Sequence, residues 1–381
     1  MRSAAMRIAI IGNQARSAIN FRGPLISELT RAGHVVFVYA PDYDPNTREA
    51  IRGLGATPVD ASMSRTGLNP LSDLRTFISL MRLIRGQKID SVLAYFAKPV
   101  IYGMLAARLA GVPRRVGLIE GAGMVFTANA SESLKRRTVR VVMTCLYAVS
   151  LRCATEVFVL NTQDQDLFTS IRGVRRGPVS KLPGIGIDLS HYAKREEGDI
   201  ADVPTFCLPA RLIEEKGIKY FVSAARQLVD EFPDARFVVL GGIEDSPSAI
   251  SKSQMSEWAR EGVIVWPGAV QDVREYVGVA TALVLPTYYR EGLPRSILEA
   301  MAMGVAVITT DAPGCSDAVI HEENGLIVQQ RDARQLAAAM RRYLSNPDLA
   351  RRHGEAGRQR AESFYDVRDV NATLITSLVR S

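Results

Sequence analysis

The sequence predicts an α/β protein built from two parallel-sheet domains. Three observations carry that expectation. From Met6 onward β-like apolar runs alternate with helical stretches, and the alternation starts afresh after residues 183–188. At 381 residues the chain is also long for one hydrophobic core. In the first half the strands are expected at Arg7–Gly12, Val35–Ala40, Thr57–Asp60, Asp90–Tyr95, Arg115–Ile119 and Glu156–Leu160. Helices are expected between them, among others Arg22–Ala32, which Gly33 closes, and Leu71–Arg85. Leu182–Asp188 is rigid and turn-rich, and the charged stretch Lys194–Asp202 follows it. Strands then resume at Thr205–Pro209, Arg236–Leu240, Val263–Trp266, Ala282–Leu285, Val305–Thr310 and Leu326–Val328. The intervening helices are Lys219–Glu231, Ser253–Arg260, Arg295–Met303, Asp332–Leu344 and Pro347–Glu362. A last helix, Val367–Val379, comes after a break at Phe364-Tyr365-Asp366. The expected domains are residues 1–183 and 184–365, with 366–381 packing back on the first.

Composition narrows the class. Hydrophobic content of 47% and charged content of 23% are those of globular protein. Cys145, Cys153, Cys207 and Cys315 show no CxxC spacing and are too few for a disulfide scaffold, so they read as buried thiols in a reducing compartment. The N-terminal apolar run reads as a strand rather than a signal sequence, and no apolar run is long enough to span a bilayer. These points lead us to expect a cytoplasmic protein. The net charge of +7 calls for an anionic partner. Lys98, Arg108, Arg114, Arg115, Lys135, Arg136, Arg137 and Arg140 precede or enter the apolar stretch Val139–Leu151. That combination reads either as an element docking on the inner face of an anionic membrane or as a buried helix with a solvated basic face. Neither aromatic interleaving nor a helix-turn-helix or RNP-like motif is present, so no nucleic acid partner is expected.

Residues 284–315 concentrate the chemistry. A strand ending in Leu285-Pro286 leads into Glu291-Gly292-Leu293-Pro294, then a helix opened by Pro294 and closed near Gly304. Amides of Gly292, Leu293 and the first helical turn have no intrahelical partner and can receive phosphate or hydroxyl oxygens. Upstream, strand Thr205–Pro209 runs into Arg211 and Lys216. Open α/β sheets bind ligands at the carboxyl ends of their strands, so both cations are expected in the crevice of Glu291. A guanidinium fork and an ammonium point charge suit a diphosphate. Taken singly, Arg211 and Lys216 are equally well read as solvated residues flanking a turn, and Glu299 as an exposed helix residue.

The first half offers less. Gly12-Asn13-Gln14 follows the first strand, but only Gly12 of a dinucleotide fingerprint is there. Arg22 at a helix start is electrostatically unfavourable, which hints at an anionic neighbour, although a plain surface arginine accounts for it as well. Glu120-Gly121-Ala122-Gly123 is glycine-rich and directly follows a strand, so its backbone can lie close to a substrate. Asp42-Tyr43-Asp44 and Asp164-Gln165-Asp166 have DxD spacing, which turn-forming acids explain. His34, His191, His321 and His353 are dispersed, so no metal is expected.

Ala210-Arg211-Leu212 with Glu215-Lys216-Gly217, Glu291-Gly292-Leu293-Pro294 with Glu-x7-Glu ending at Glu299, Pro313–Cys315, Glu323–Gly325, and Gly184, Gly186 and Asp188 together resemble the retaining glycosyltransferases of family 4. The resemblance covers residues 184–365 strongly and the first half mainly in architecture. It implies a GT-B fold, two Rossmann-like parallel-sheet domains facing an interdomain cleft, and a hexosyltransferase using a UDP-sugar. Arg211 and Lys216 would hold the diphosphate and offset charge growing there. Glu291 would bond sugar hydroxyls, with Gly292 and Leu293 nearby, and Glu299 the ribose. Gly12 would lie on the donor side of the cleft. Asn20, Arg22, Glu120 and Gly121 would face the acceptor. Many members carry a histidine where this chain reads Glu120-Gly121, so that role is not carried over. The Glu-Gly-x-Gly stretch resembles members that build polyprenyl-linked, capsular or exopolysaccharide glycans, which implies a polyprenyl-diphosphate-linked or glycan acceptor at the membrane. No cofactor or metal is implied. A GT-B sugar-nucleotide epimerase and a non-catalytic nucleotide-sugar-binding module are the alternatives.

Overall fold

The structure is a computed structural model that describes residues 5–64, 69–127, 134–171, 179–196 and 203–380. Part of the charged stretch Lys194–Asp202, from 197 on, and the side chain of Lys135 lie outside the described residues. The chain forms two compact units, residues 1–185 with 367–381, and residues 186–366.

The first unit is a seven-stranded sheet in the order β3-β2-β1-β4-β5-β6-β7, with every pair parallel. Its elements are β1 (Arg7–Ile11), α1 (Ala15–Arg31), β2 (Val35–Ala40), α2 (Pro45–Gly53), β3 (Thr57–Asp60), α3 (Pro70–Gly86), β4 (Ser91–Tyr95), α4 (Ala97–Leu109), β5 (Arg114–Ile119), α5 (Leu134–Leu151), β6 (Glu156–Val159), α6 (Thr162–Ser170) and β7 (Val179–Lys181). The central strands are buried almost throughout, as strands covered by helices on both faces must be. Helix α1 begins at Ala15 and not at Arg22. The Ala15 amide donates to the Asp42 carboxylate at 2.6 Å, a cap supplied from beyond the end of β2, and Pro24 lies inside the helix. Asp44 caps α2 through a capping box with Thr47; the Asp164 carboxylate accepts from the Ala122 amide and from the Asn161 side chain, while the Asp164 amide donates to Asn161 Oδ1, the cap of α6. Asp42, Asp44 and Asp164 thus serve turns and caps.

The second unit is a six-stranded parallel sheet in the order β10-β9-β8-β11-β12-β13. It comprises β8 (Thr205–Pro209), α7 (Ile218–Arg226), β9 (Arg236–Leu240), α8 (Lys252–Arg260), β10 (Val265–Gly268), α9 (Arg274–Val277), β11 (Ala282–Leu285), α10 (Arg295–Ala302), β12 (Ala306–Thr310), α11 (Cys315–Ala318), β13 (Leu326–Val328), α12 (Ala333–Ser345) and α13 (Pro347–Phe364). Phe206 stacks on Phe237 at 5.8 Å, with Phe221 edge-on, at the centre of its core. Helix α14 (Val367–Val379) belongs to the first unit. Strand order reverses between β1 and β4 in one sheet and between β8 and β11 in the other, and each reversal opens a crevice at the strands' carboxyl ends. Only Cys207 and Cys315 are buried thiols; Cys145 is exposed and Cys153 half-buried, because they lie on the outer part and the end of α5.

Candidate active site

In the second unit the crevice outside β8 and β11 is built by two loops that lock together. The Tyr288 amide and the Thr287 hydroxyl both donate to the Glu215 carbonyl, at 2.9 and 3.0 Å. Thr310 donates to the Thr287 carbonyl at 2.5 Å, tying the same loop to β12. Gly217 has φ +79° and faces the Pro286 carbonyl so closely that a Cβ would collide with it. Gly314, at φ +82°, lies equally close to the Gly292 carbonyl. These contacts fix the backbone of residues 286–292 between the two loops.

That frame sets the charges. Lys216 forms an ion pair with Glu291, with both side chains largely buried, and the Thr287 hydroxyl lies 3.4 Å from the same carboxylate oxygen. The guanidinium of Arg211 and the ammonium of Lys216 lie 5.9 and 5.8 Å from the centroid of the Tyr289 ring. Arg211, Lys216 and Glu291 are therefore gathered around one aromatic side chain. Leu293 is buried, and α10 opens at Pro294 without a side-chain cap. The Cys315 thiol behind the loop is pushed up to about 12 by burial, which leaves it protonated and no nucleophile.

Glu299 is not the exposed helix residue that its position alone suggests. It is 9% exposed, and its Oε1 accepts from the Tyr192 hydroxyl and from Arg295 Nε, both at 2.8 Å. Burial, and then the charge of Glu299, push the Tyr192 phenol up to about 12, so it stays a donor. Glu299 thus belongs to a second cluster on the same loop–helix segment. Sequence reasoning passed over Tyr289, Arg295 and Tyr192. Tyr289 and Arg295 lie inside the motif segment, whereas nothing local marks Tyr192.

In the first unit, Arg22 is neither at a helix start nor on the surface. It sits mid-helix at 1% exposure, ion-paired with Glu120, and its guanidinium lies 5.1 Å from the centroid of the Tyr95 ring. The helix extends back to Ala15, so the argument from an unfavourable helix N-terminus falls away. Gly12 is buried, and a side chain there would run into Tyr95, whose hydroxyl meets Ser17 at 3.2 Å. Asn20 is exposed on α1, and Gly121 has φ +109° beside Glu120. Lys98 does not belong to a basic surface: it is buried, 2.9 Å from Asp73 and 2.5 Å from Ser64. Arg115 is turned toward the carbonyls of Val112, Pro113 and Cys153. Among the described residues no cluster of three or more His, Cys, Asp or Glu is placed to hold a metal, and no helix is long and apolar enough to cross a membrane.

Comparison with known proteins gives consistent matches. The family model described as "Glycosyl transferases group 1" matches residues 193–360, and that described as "Glycosyl transferase 4-like domain" matches residues 22–184. The chain is 29% identical over 355 residues to the N,N'-diacetylbacillosaminyl-diphospho-undecaprenol alpha-1,3-N-acetylgalactosaminyltransferase of Campylobacter jejuni, covering 90% of this chain and 91% of that protein. It is 28% identical over 273 residues to the UDP-Gal:alpha-D-GlcNAc-diphosphoundecaprenol alpha-1,3-galactosyltransferase of Escherichia coli, covering 69% and 68%. Among solved structures it is similar to sucrose-phosphate synthase from Thermosynechococcus elongatus, with TM-score 0.81, 21% identity, and coverage of 97% and 98%.

Proposed function

Since this chain belongs to the family 4 glycosyltransferases of the GT-B fold and is a hexosyltransferase, we propose that it moves a hexose or N-acetylhexosamine from a UDP-sugar, with retention, onto a polyprenyl-diphosphate-linked glycan. The observation that carries the reading is the gathering of Arg211, Lys216 and Glu291 around Tyr289 at the β8/β11 crevice. Two cations beside one carboxylate fit a diphosphate joined to a polyol. The relatives' names, which carry diphospho-undecaprenol acceptors, support the acceptor class.

In this reading Arg211 and Lys216 bind the diphosphate and stabilise the charge that collects on it as the bond to the sugar breaks. Glu291, held by Lys216, accepts from sugar hydroxyls. Glu299, oriented by Tyr192 and Arg295, meets the ribose. The acceptor oxygen attacks the anomeric carbon on the face the diphosphate leaves, and its proton passes to the departing phosphate oxygen, so no carboxylate nucleophile is needed. Glycosidases instead need two carboxylates flanking the bond. Because the two side-chain cations neutralise the leaving group, transfer is expected to persist undiminished in excess EDTA; loss of activity restored by a divalent ion would contradict this. The exposed Leu134, Val141, Val142 and Val149 with Arg137 on α5 are the face proposed to contact the cytoplasmic leaflet.

The test is a screen of UDP-hexoses and UDP-N-acetylhexosamines against polyprenyl-diphosphate-linked acceptors, reading UDP release and the anomeric configuration of the product by NMR. A retained glycoside supports the proposal. An isomerised sugar from donor alone would make the chain an epimerase, and donor binding without transfer would make it a binding module.

A further inference from the structure

At the carboxyl edge of the first sheet two features cost free energy in the unliganded chain, and they lie on neighbouring strands. The first is Phe96. Strand β4 ends at Tyr95 and α4 starts at Ala97, so this one residue makes the whole turn from strand to helix. It does so at φ +69° and ψ 163°, a region of backbone space essentially reserved for glycine. A strained strand-to-helix turn of this kind lifts its side chain to the top of the sheet. The ring is half-buried, its centroid 5.0 Å from that of Tyr95, and a glycine would make the same turn without strain.

The second feature is Asn13. Its Oδ1 is enclosed and accepts no hydrogen bond from the described residues, and an acceptor shut away from water is costly until something donates to it. Strands β1 and β4 pair in parallel up to Ile11 and Ala94. Asn13 and Phe96 therefore stand two residues past that pair, at the point where the strand order reverses. Glu120 follows β5, the next strand, and is committed to Arg22. Backbone strain and orphaned polar atoms gather where a fold holds a ligand.

The chemistry of the two groups says what fits between them. A carbonyl oxygen and the negative face of an aromatic ring both repel phosphate. They suit a neutral pyranose, whose C–H groups form an apolar face and whose hydroxyls donate from its rim. We propose that Phe96 and Asn13 form the subsite for the terminal sugar of the acceptor, with the ring stacked on the sugar's face and Asn13 Oδ1 accepting from one of its hydroxyls. The inference rests on the glycan acceptor proposed above, and it makes these two residues determinants of which acceptor sugar is used.

The test is steady-state kinetics and thermal melting of the full-length enzyme and its Phe96→Gly, Phe96→Ala, Phe96→Tyr and Asn13→Ala variants. The substrates are the UDP-sugar and the polyprenyl-diphosphate-linked sugar that react in the screen above. Gly and Ala both remove the ring but only Gly relieves the backbone, so Phe96→Gly should melt above Phe96→Ala. Asn13→Ala should melt no lower than the unsubstituted enzyme, since it removes an unsatisfied acceptor. KM for the acceptor should rise about tenfold in Phe96→Gly and Phe96→Ala and about fivefold in Asn13→Ala, with KM for the donor unchanged. Phe96→Tyr should keep the unsubstituted value. An unaltered acceptor KM, or an equal rise in KM for the donor, would overturn the subsite. So would Asn13→Ala melting below the unsubstituted enzyme, or Phe96→Ala melting at or above Phe96→Gly, because neither group would then carry a cost that a ligand has to explain. If no polyprenyl-linked acceptor reacts with the unsubstituted enzyme, the acceptor reading itself falls and takes the subsite with it.

Discussion

Two buried ion pairs set the terms at the scale of single residues, and they are built for different ends. Lys216–Glu291 sits at a crevice mouth, where both groups can exchange each other for ligand oxygens. Lys216→Ala removes one of the two cations facing the developing charge, and transfer should fall by about a hundredfold or more, read as UDP release at saturating donor. An effect confined to KM would instead mean that Lys216 contributes ground-state binding alone. Arg22–Glu120 is enclosed, with side chains 1% and 7% exposed, so removing one partner strands a charge out of water. Arg22→Met should cost about 3–5 kcal/mol in denaturant unfolding, and Arg22→Met/Glu120→Leu should recover most of it. No recovery in the double variant would show that the cost comes from packing against Tyr95 rather than from the unpaired carboxylate.

Contacts between elements decide what a local reading cannot. Helix α1 shows this directly: Pro24 and Gly33 mark a helix from Arg22 to Ala32, yet the Asp42 carboxylate, arriving from the far side of β2, allows it to start at Ala15. Glu299 is buried for the same kind of reason, since Tyr192 reaches it from another segment. Strand positions, in contrast, were legible because buried parallel strands are short apolar runs bounded by turns, and their ends shift by only a residue or two. Helices α12 and α13 meet where the Tyr343 hydroxyl lies 2.8 Å from His353 Nδ1, near Glu322, Arg342 and Arg352. Burial holds the His353 pKa below its ordinary 6.5. The unfolded chain then takes up the proton first as pH falls, so this contribution to stability is complete above pH 6.5 and diminishes as pH drops through that value. Urea unfolding should show the loss on acidification, and His353→Gln should flatten that part of the profile; an unchanged profile in the variant would assign the acid sensitivity elsewhere.

Across the whole molecule the chain returns to its first unit at the end, as the break at Phe364-Tyr365-Asp366 leads one to expect. The first unit is completed by α14, after an intervening second unit, through buried Val370, Leu374 and Leu378 and a bond from Asn371 to Glu28 at 2.8 Å. Deleting residues 367–381 should lower the melting of the first unit and leave that of the second in place, giving two calorimetric transitions where the unit stabilities separate. A uniform downward shift of one transition would mean that the units melt together. By itself the sequence determined the α/β class, the two successive sheets and the segments that end at strand carboxyl edges, because apolar periodicity and turn residues act over a few neighbours. Only the tertiary structure decided which side chains meet. Tyr289 beside Arg211 and Lys216, Arg22 against Glu120, and Lys98 turned inward to Asp73 all depend on contacts between distant segments, and burial and charge pairing act through space rather than along the chain.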